Sequence, residues 1–349
     1  MTIKIETAGS IVERDASVKF LFKPIEKWLD DPKITEIAIN RPLEIWIERE
    51  NYWQCFDVPG LTYERLMSMA TSVAAFTNNN ISITTPMLSA VLPKGERVQF
   101  VISPACEEGT ISLTIRKPSF TSRLLTDYAK DGFFDHIRPI KDGLLPLEEK
   151  LLELKECDIH AFLEFAVLSE KNIVIAGGTG SGKTTLMKAL VEIIPRNQRI
   201  ITIEDVPELF LPNHLNCVHL FYPSEALPDE PVTSSKLLKS CLRMKPDRIL
   251  LAELRGAETF DFINVNASGH GGSITSCHAN SAALTFERLA LMAMQNPQGR
   301  SLTYDVIKIL LHQMIDIVIH VTNDVHSAEK LGRHITGIWY DPSKKSYKN

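Results

Sequence analysis

The chain has 349 residues, 44% of them apolar, and a net charge of −5 from 38 Lys+Arg against 43 Asp+Glu. That length supports two hydrophobic cores rather than one, and the acidic balance excludes a broad nucleic-acid footprint. Six cysteines (Cys55, Cys106, Cys157, Cys217, Cys241 and Cys277) with no C-x-x-C pair exclude a disulfide framework or a zinc ribbon, and are expected as small buried side chains in a reducing compartment. The N-terminus lacks a signal-peptide core and no apolar run reaches 18 residues, so a cytoplasmic chain that does not span a membrane is expected.

Residues 1–138 read as α+β. Two strands at period two, 34–39 and 43–48, flank Asn40-Arg41-Pro42, a hairpin signal. A polar-capped helix over 62–76 ends at Asn78-Asn79-Asn80, and strands at 86–92, 97–103 and 111–117 form an antiparallel meander. Along Ile111-Ser112-Leu113-Thr114-Ile115-Arg116 the apolar residues share one face, leaving Ser112, Thr114 and Arg116 on the other. The same alternation pairs Arg97 with Gln99, so two guanidinium groups face one way. Periodicity alone makes this a solvated sheet face with surface ion pairs.

Residues 139–157 read as a linker, with Lys141-Asp142-Gly143 followed by a short charged helix from Leu147. Asp158 caps a helix over 159–168 whose apolar spacing fits a buried face. Then Ile173-Val174-Ile175-Ala176 runs into Gly177-Gly178-Thr179-Gly180-Ser181-Gly182-Lys183-Thr184-Thr185 and an apolar-periodic helix. A strand feeding a glycine turn that opens a helix is the context of a phosphate-binding loop. Glycines let successive amides point at one anion, and the helix start adds partial positive charge. Lys183 then reaches the β and γ phosphates, and the Thr184 hydroxyl is the ligand expected for Mg²⁺.

The strand at 199–203 ends in Glu204-Asp205, carboxylates at the C-terminal end of an α/β strand, where ligands bind. Five prolines and little periodicity between Val206 and Thr233 predict that part of this stretch is exposed loop, and Thr233 caps a basic helix carrying Lys236, Lys239 and Arg243. Ile249-Leu250-Leu251-Ala252-Glu253 is an apolar strand ending in an acid able to orient or deprotonate water. Gly269-His270 through Cys277-His278 places two histidines around a strand, with no further ligand at metal spacing. Helices at 282–294 and 304–312, a strand at 315–321 and a hairpin at 333–339 complete the second domain, 158–349.

Four motifs therefore stand in order: the glycine loop, Glu204-Asp205-Val206-Pro207-Glu208, Arg243-Met244-Lys245-Pro246-Asp247-Arg248 leading to Glu253, and His270 to His278. Together they resemble the secretion ATPase superfamily, with its Walker A, Asp box, Walker B and His box. Within it the chain is similar to the type IV secretion system traffic ATPases, whose N-terminal pattern matches Gly95-Glu96-Arg97-Val98-Gln99 and Thr114-Ile115-Arg116-Lys117-Pro118. The resemblance implies an α/β protein in which a smaller α+β domain precedes a RecA-type P-loop ATPase domain. It implies a homohexameric ring, bound peripherally at the cytoplasmic face of the bacterial inner membrane, that binds ATP between the two domains. ATP turnover would serve substrate translocation and pilus assembly beside a second secretion ATPase and a coupling protein.

The resemblance also gives Arg97 and Arg116 a role on the phosphates, Glu253 or Glu204 the attacking water, His270 and His278 the sensing of the γ phosphate, and Thr184 with Asp205 the Mg²⁺ held through the nucleotide. A pilus-retraction or type II secretion motor, a nucleotide-gated scaffold with little turnover, and a DNA translocase are the competing functions.

Overall fold

The computed structural model describes residues 4–7, 10–118, 123–137, 143–225, 230–325 and 329–345. Part of the expected linker, 139–142, lies outside them. The chain folds into two compact units, one of Met1–Pro118 with Pro195–Ala252, the other of Ser119–Ile194 with Glu253–Asn349.

The first pass through the first unit holds β1 (Lys4–Thr7), β2 (Ser10–Glu13), α1 (Ala16–Phe22), α2 (Glu26–Leu29), β3 (Ile34–Ile39), β4 (Glu44–Arg49), β5 (Tyr52–Asp57), α3 (Tyr63–Phe76), β6 (Met87–Val91), β7 (Arg97–Ile102) and β8 (Ile111–Arg116). β3 to β8 make a six-stranded antiparallel sheet in the order β5-β4-β3-β8-β7-β6. The hairpin at Asn40-Arg41-Pro42 and the β6–β7–β8 meander form as expected. β5 was not anticipated, because nearly every side chain on it is exposed and it carries no alternating pattern. Thr62 Oγ1 accepts from the Arg65 amide and caps α3, whose Leu66, Met69, Ala70 and Val73 pack with Ile37, Ile39, Phe100, Leu113 and Ile115 as the core.

The second pass, in the other unit, runs α4 (Leu125–Lys130), α5 (Pro146–Cys157), α6 (Ile159–Leu168), β9 (Ile173–Gly177) and α7 (Lys183–Val191). Asp158 caps α6 by accepting from the Ala161 amide. The third, back in the first unit, adds β10 (Ile200–Glu204), β11 (Cys217–Phe221), α8 (Ser234–Cys241) and β12 (Arg248–Leu254), whose last two residues, Glu253 and Leu254, belong to the second unit, with β11 and β12 parallel on either side of β10. β11 lies inside the stretch expected to be in part exposed loop; none of the five prolines falls within it, so its amides remain free for the ladder. The last pass holds α9 (Glu258–Ala267), β13 (Ile274–Cys277), α10 (Ala282–Ala293), α11 (Tyr304–Met314), β14 (Ile317–Asp324) and β15 (Gly332–Tyr340). β13 and β14 flank β9 in parallel and β15 pairs antiparallel with β14. β9, the middle one, reads as a continuous apolar run because it is buried along its length.

Two expectations fail. Cys55 and Cys157 are exposed rather than buried, although all six cysteines are free thiols. The polar face of the antiparallel sheet is not solvated: Gln99, Ser112, Thr114, Glu36 and Glu48 are all buried. What covers them is the returning segment Pro195–Ala252 of the same unit, and Arg199 is the centre of that contact. Fully buried, it donates from Nη1 to Asn40 Oδ1 and Asn216 Oδ1, both at 2.6 Å, from Nε to the Met244 carbonyl at 2.9 Å, and from Nη2 to Thr114 Oγ1 at 3.4 Å. Asp247 takes the Arg199 amide at 2.6 Å and Lys245 pairs with Glu48 at 3.0 Å. Burial pulls the Arg199 guanidinium down to about 10, still charged at neutral pH. A buried cation survives because its donors are matched by fixed oxygens.

Glu36 is the weak point of this face. Its carboxylate lies 3.4 Å from Arg116 Nε, but burial pushes it up to about 7; Arg116, Lys245 and Arg199 oppose the shift and Glu48 adds to it.

Two outcomes follow for stability. Arg199→Ala takes a donor from four acceptors and should cost about 3–5 kcal/mol, read by urea or thermal unfolding; a loss below 1 kcal/mol would mean that water replaces the guanidinium. Glu36 holds its proton more tightly folded than unfolded, so its contribution is most favourable below its ordinary value of 4.5 and declines as pH rises through 7. Glu36→Gln should therefore be worth more at pH 8 than at pH 5, by up to about 3 kcal/mol, seen as a melting-temperature gap between variant and parent that widens with pH.

Candidate nucleotide site

In the second unit β9 ends at Gly177, and the chain wraps from Gly178 to Gly182 before α7 begins. Gly180 and Gly182 have φ of +73° and +99°, the left-handed region where glycine is favoured. Gly177 meets a different constraint: a Cβ there would lie 2.3 Å from the Val321 carbonyl oxygen, because β14 runs in register beside it. Gly182 is the N-cap of α7 and offers no side chain, so the first amides of that helix receive no side-chain cap. Uncapped amides and the positive end of the helix dipole make this end a place for an anion.

Lys183 Nζ donates to the Gly177 and Gly178 carbonyls at 3.1 and 3.0 Å, and Ser181 Oγ donates to the Gly178 carbonyl at 2.8 Å. Burial pulls the Lys183 ammonium below its ordinary value, with Glu253 working against that shift. Thr184 is half-buried in the first turn of α7 and Thr185 is exposed beside it. Gly177 and Gly178 open on a cavity of about 320 Å³ lined also by His278, Ala279, Asn280 and Arg288.

Glu253, near the end of β12, presents two unlike oxygens. Oε2 accepts from Arg255 Nε at 2.9 Å, and Arg255 Nη2 is equally close. Oε1 is buried and lies 3.0 Å from His278 Nε2, yet accepts no hydrogen bond. A buried carboxylate oxygen without a donor is costly unless something donates to it in the working state. The structure thus joins Lys183, Glu253 and His278 in one unit. His270 does not line the cavity; its Nδ1 is 3.4 Å from Ser268 Oγ, just beyond α9.

The other acids and arginines lie in the first unit. Glu204 is buried and saturated: it accepts from Thr202 Oγ1 at 2.7 Å and from the Glu208 and Leu209 amides at 2.8 and 2.7 Å, with His219 Nδ1 at 3.4 Å. Burial raises Glu204, but these donors more than offset it and hold the carboxyl below its ordinary value. Burial likewise lowers His219, which Cys217 and Glu204 nonetheless lift to about 9. Asp205, half-buried, accepts from Ser224 Oγ at 2.9 Å. Arg97 and Arg116 stand opposite each other across β7 and β8 and line a second cavity of about 320 Å³ together with Arg243.

Sequence reasoning missed Arg199, Arg243 and Arg288 as members of these clusters. A charged residue heading a β-branched run was the available signal for Arg199; nothing local marks the other two. Among the described residues no group of three His, Cys, Asp or Glu side chains is placed to hold a metal ion.

Comparison with known proteins agrees with this geometry. A family model described as "Type II/IV secretion system protein" matches residues 21–337. The type IV secretion system protein VirB11 of Brucella abortus is 61% identical over 337 residues, 96% of this chain and 92% of that protein. The PtlH homolog of Bordetella bronchiseptica is 43% identical over 331 residues, 94% and 96% of the two chains. The crystal structure of the VirB11 ATPase from the Brucella suis type IV secretion system, in complex with sulphate, superposes with a TM-score of 0.90 at 60% identity, covering 95% of this chain and 96% of that one. A glycine loop, a strand-end glutamate and a histidine beside it, in a fold shared with that enzyme over nearly the whole length, place the chain in the type II/IV secretion system protein family, among its type IV secretion ATPases.

Proposed function

We propose that the chain hydrolyses ATP to ADP and phosphate, with Gly177, Gly178, Thr179, Gly180, Ser181, Gly182, Lys183, Thr184 and Thr185 holding the nucleotide, to drive substrate translocation and pilus assembly by a bacterial type IV secretion system. The observation that carries this reading is the combination, within one unit, of an uncapped helix start, the Lys183 ammonium and the orphaned buried Oε1 of Glu253. That the Brucella suis enzyme is described with sulphate, an anion of phosphate's shape, supports an anion site in this fold.

Lys183 exchanges its two loop carbonyls for phosphate oxygens and neutralises developing charge there. Glu253 orients the attacking water through Oε1, while Arg255 fixes Oε2 and so fixes the direction of the free lone pair. Glu204 is set aside as the base: with every lone pair engaged and its proton affinity lowered, it shapes the 204–209 turn instead. His278 senses whether the water and γ phosphate are present through its contact with Glu253, and His270 acts with it at a distance from the loop. Arg97 and Arg116 stabilise the transferring phosphoryl group, a role supported by their pairing across β7 and β8. Thr184 fits a Mg²⁺ held mainly by phosphate oxygens, with Asp205 the acid assigned to it; bound there, the ion would neutralise phosphate charge.

The division into an N-terminal domain 1–138, a linker 139–157 and an ATPase domain 158–349 belongs to the same reading, supported by the antiparallel sheet ending at Arg116 and the parallel strands starting at Ile173. So do a homohexameric ring, a second secretion ATPase and a coupling protein as partners, and a peripheral place on the cytoplasmic face of the inner membrane. Among the described residues no helix is long and apolar enough to cross a membrane.

Phosphate release from purified protein with Mg-ATP tests the assignment. Lys183→Ala should abolish turnover with an unchanged melting temperature, and wild-type rates in that variant would defeat it. Glu253→Gln should keep ATP affinity and lower kcat by about 10²–10⁴, whereas Glu204→Gln should act first on stability. The reverse pattern would exchange their roles.

A further inference from the structure

The loop is also held from outside, by the last hairpin. Asn323 of β14 and Arg333 of β15 are opposite each other in the ladder, and both reach the Gly180 carbonyl: Arg333 Nε donates to it at 3.2 Å, and Asn323 Nδ2 at 3.5 Å. The Arg333 stem lies against the start of α7, with Cδ 3.3 Å from the point a Cβ on Gly182 would occupy. The same β14 backbone approaches Gly177. This hairpin therefore meets the glycine turn at its entry, its tip and its exit.

Three features argue that Arg333 does more than brace a loop. Asn323 already supplies a neutral donor to the same oxygen, so bracing alone does not call for a charge. A guanidinium here adds positive charge where the α7 dipole and Lys183 already place it, a like-sign arrangement that an anion relieves. Its side chain is exposed, and among the described residues Nε alone has a protein acceptor, leaving both terminal amino groups to donate to phosphate oxygens. The Ser181 amide that follows Gly180 reaches the Gly178 carbonyl at 3.4 Å.

We infer that Arg333 is a nucleotide-binding residue, anchored through Nε on the loop tip and contacting the phosphate chain of the bound nucleotide with its terminal amino groups from the β14–β15 side. The inference rests on the nucleotide reading above. Because the contact is made to phosphates present before and after hydrolysis, it affects ATP and ADP alike.

The test titrates fluorescent ATP and ADP analogues into the full-length wild type, Arg333→Ala, Arg333→Lys and Arg333→Gln, alongside steady-state kcat and KM. Arg333→Ala should weaken both nucleotides by roughly tenfold, the scale of one charge-assisted hydrogen bond, and raise KM with little change in kcat. Arg333→Lys should recover most of that loss and Arg333→Gln little, with nucleotide-free melting temperatures alike, so that charge is separated from packing even if the alanine variant melts early. Unchanged affinity in Arg333→Gln, or a loss confined to kcat, would overturn the inference while leaving wild-type nucleotide binding intact. A wild type that binds neither nucleotide would defeat the ATPase reading and this one with it.

Discussion

The site depends on a backbone constraint: between Gly177 and Lys183 the chain must turn with its amides inward while a neighbouring strand passes within reach of its first residue. Side chains cannot meet both demands. Gly177 has no room for one because of the Val321 carbonyl, and Gly180 and Gly182 take backbone angles that a Cβ resists. Once that turn is set, Lys183 can only project over it, and β13 and β14 hold β9 rigid from both sides. Functional groups on a turn stay placed only when the turn rests on such strands.

The chain distinguishes its carboxylates by what surrounds them. Glu204 and Glu253 both sit at strand ends after apolar runs, and by pattern they are equivalent. The structure separates them by hydrogen-bond supply: four donors converge on one, while the other keeps a bare oxygen inside the protein. A saturated acid is a scaffold and an under-satisfied one is a candidate for chemistry.

Much of this was legible from residue order. The glycine loop, the caps at Thr62, Asp158 and Thr233, and the long apolar strands follow from local propensity and period, so these elements fall within a few residues of expectation. Two failures share a cause. The burial of Thr114 and the hub at Arg199 arise from contacts between segments about 80 residues or more apart, and no local window reports those; the strand at 217–221 pairs with β10 nearby in the chain but carries too short a pattern to stand out between prolines. The polar stripe on β7 and β8 looked wet because its partner in the fold is itself polar, and Arg199 supplies the match.

The carboxyl of Glu36 carries an implication for how the protein behaves in solution. Burial lifts it to about 7 beside Arg116, so its charge changes within the neutral range rather than below it. The ion pair at the rim of the antiparallel sheet therefore depends on pH, strengthening as the proton leaves Glu36. Preparations compared on either side of neutrality will differ in the charge of that rim before any ligand is added.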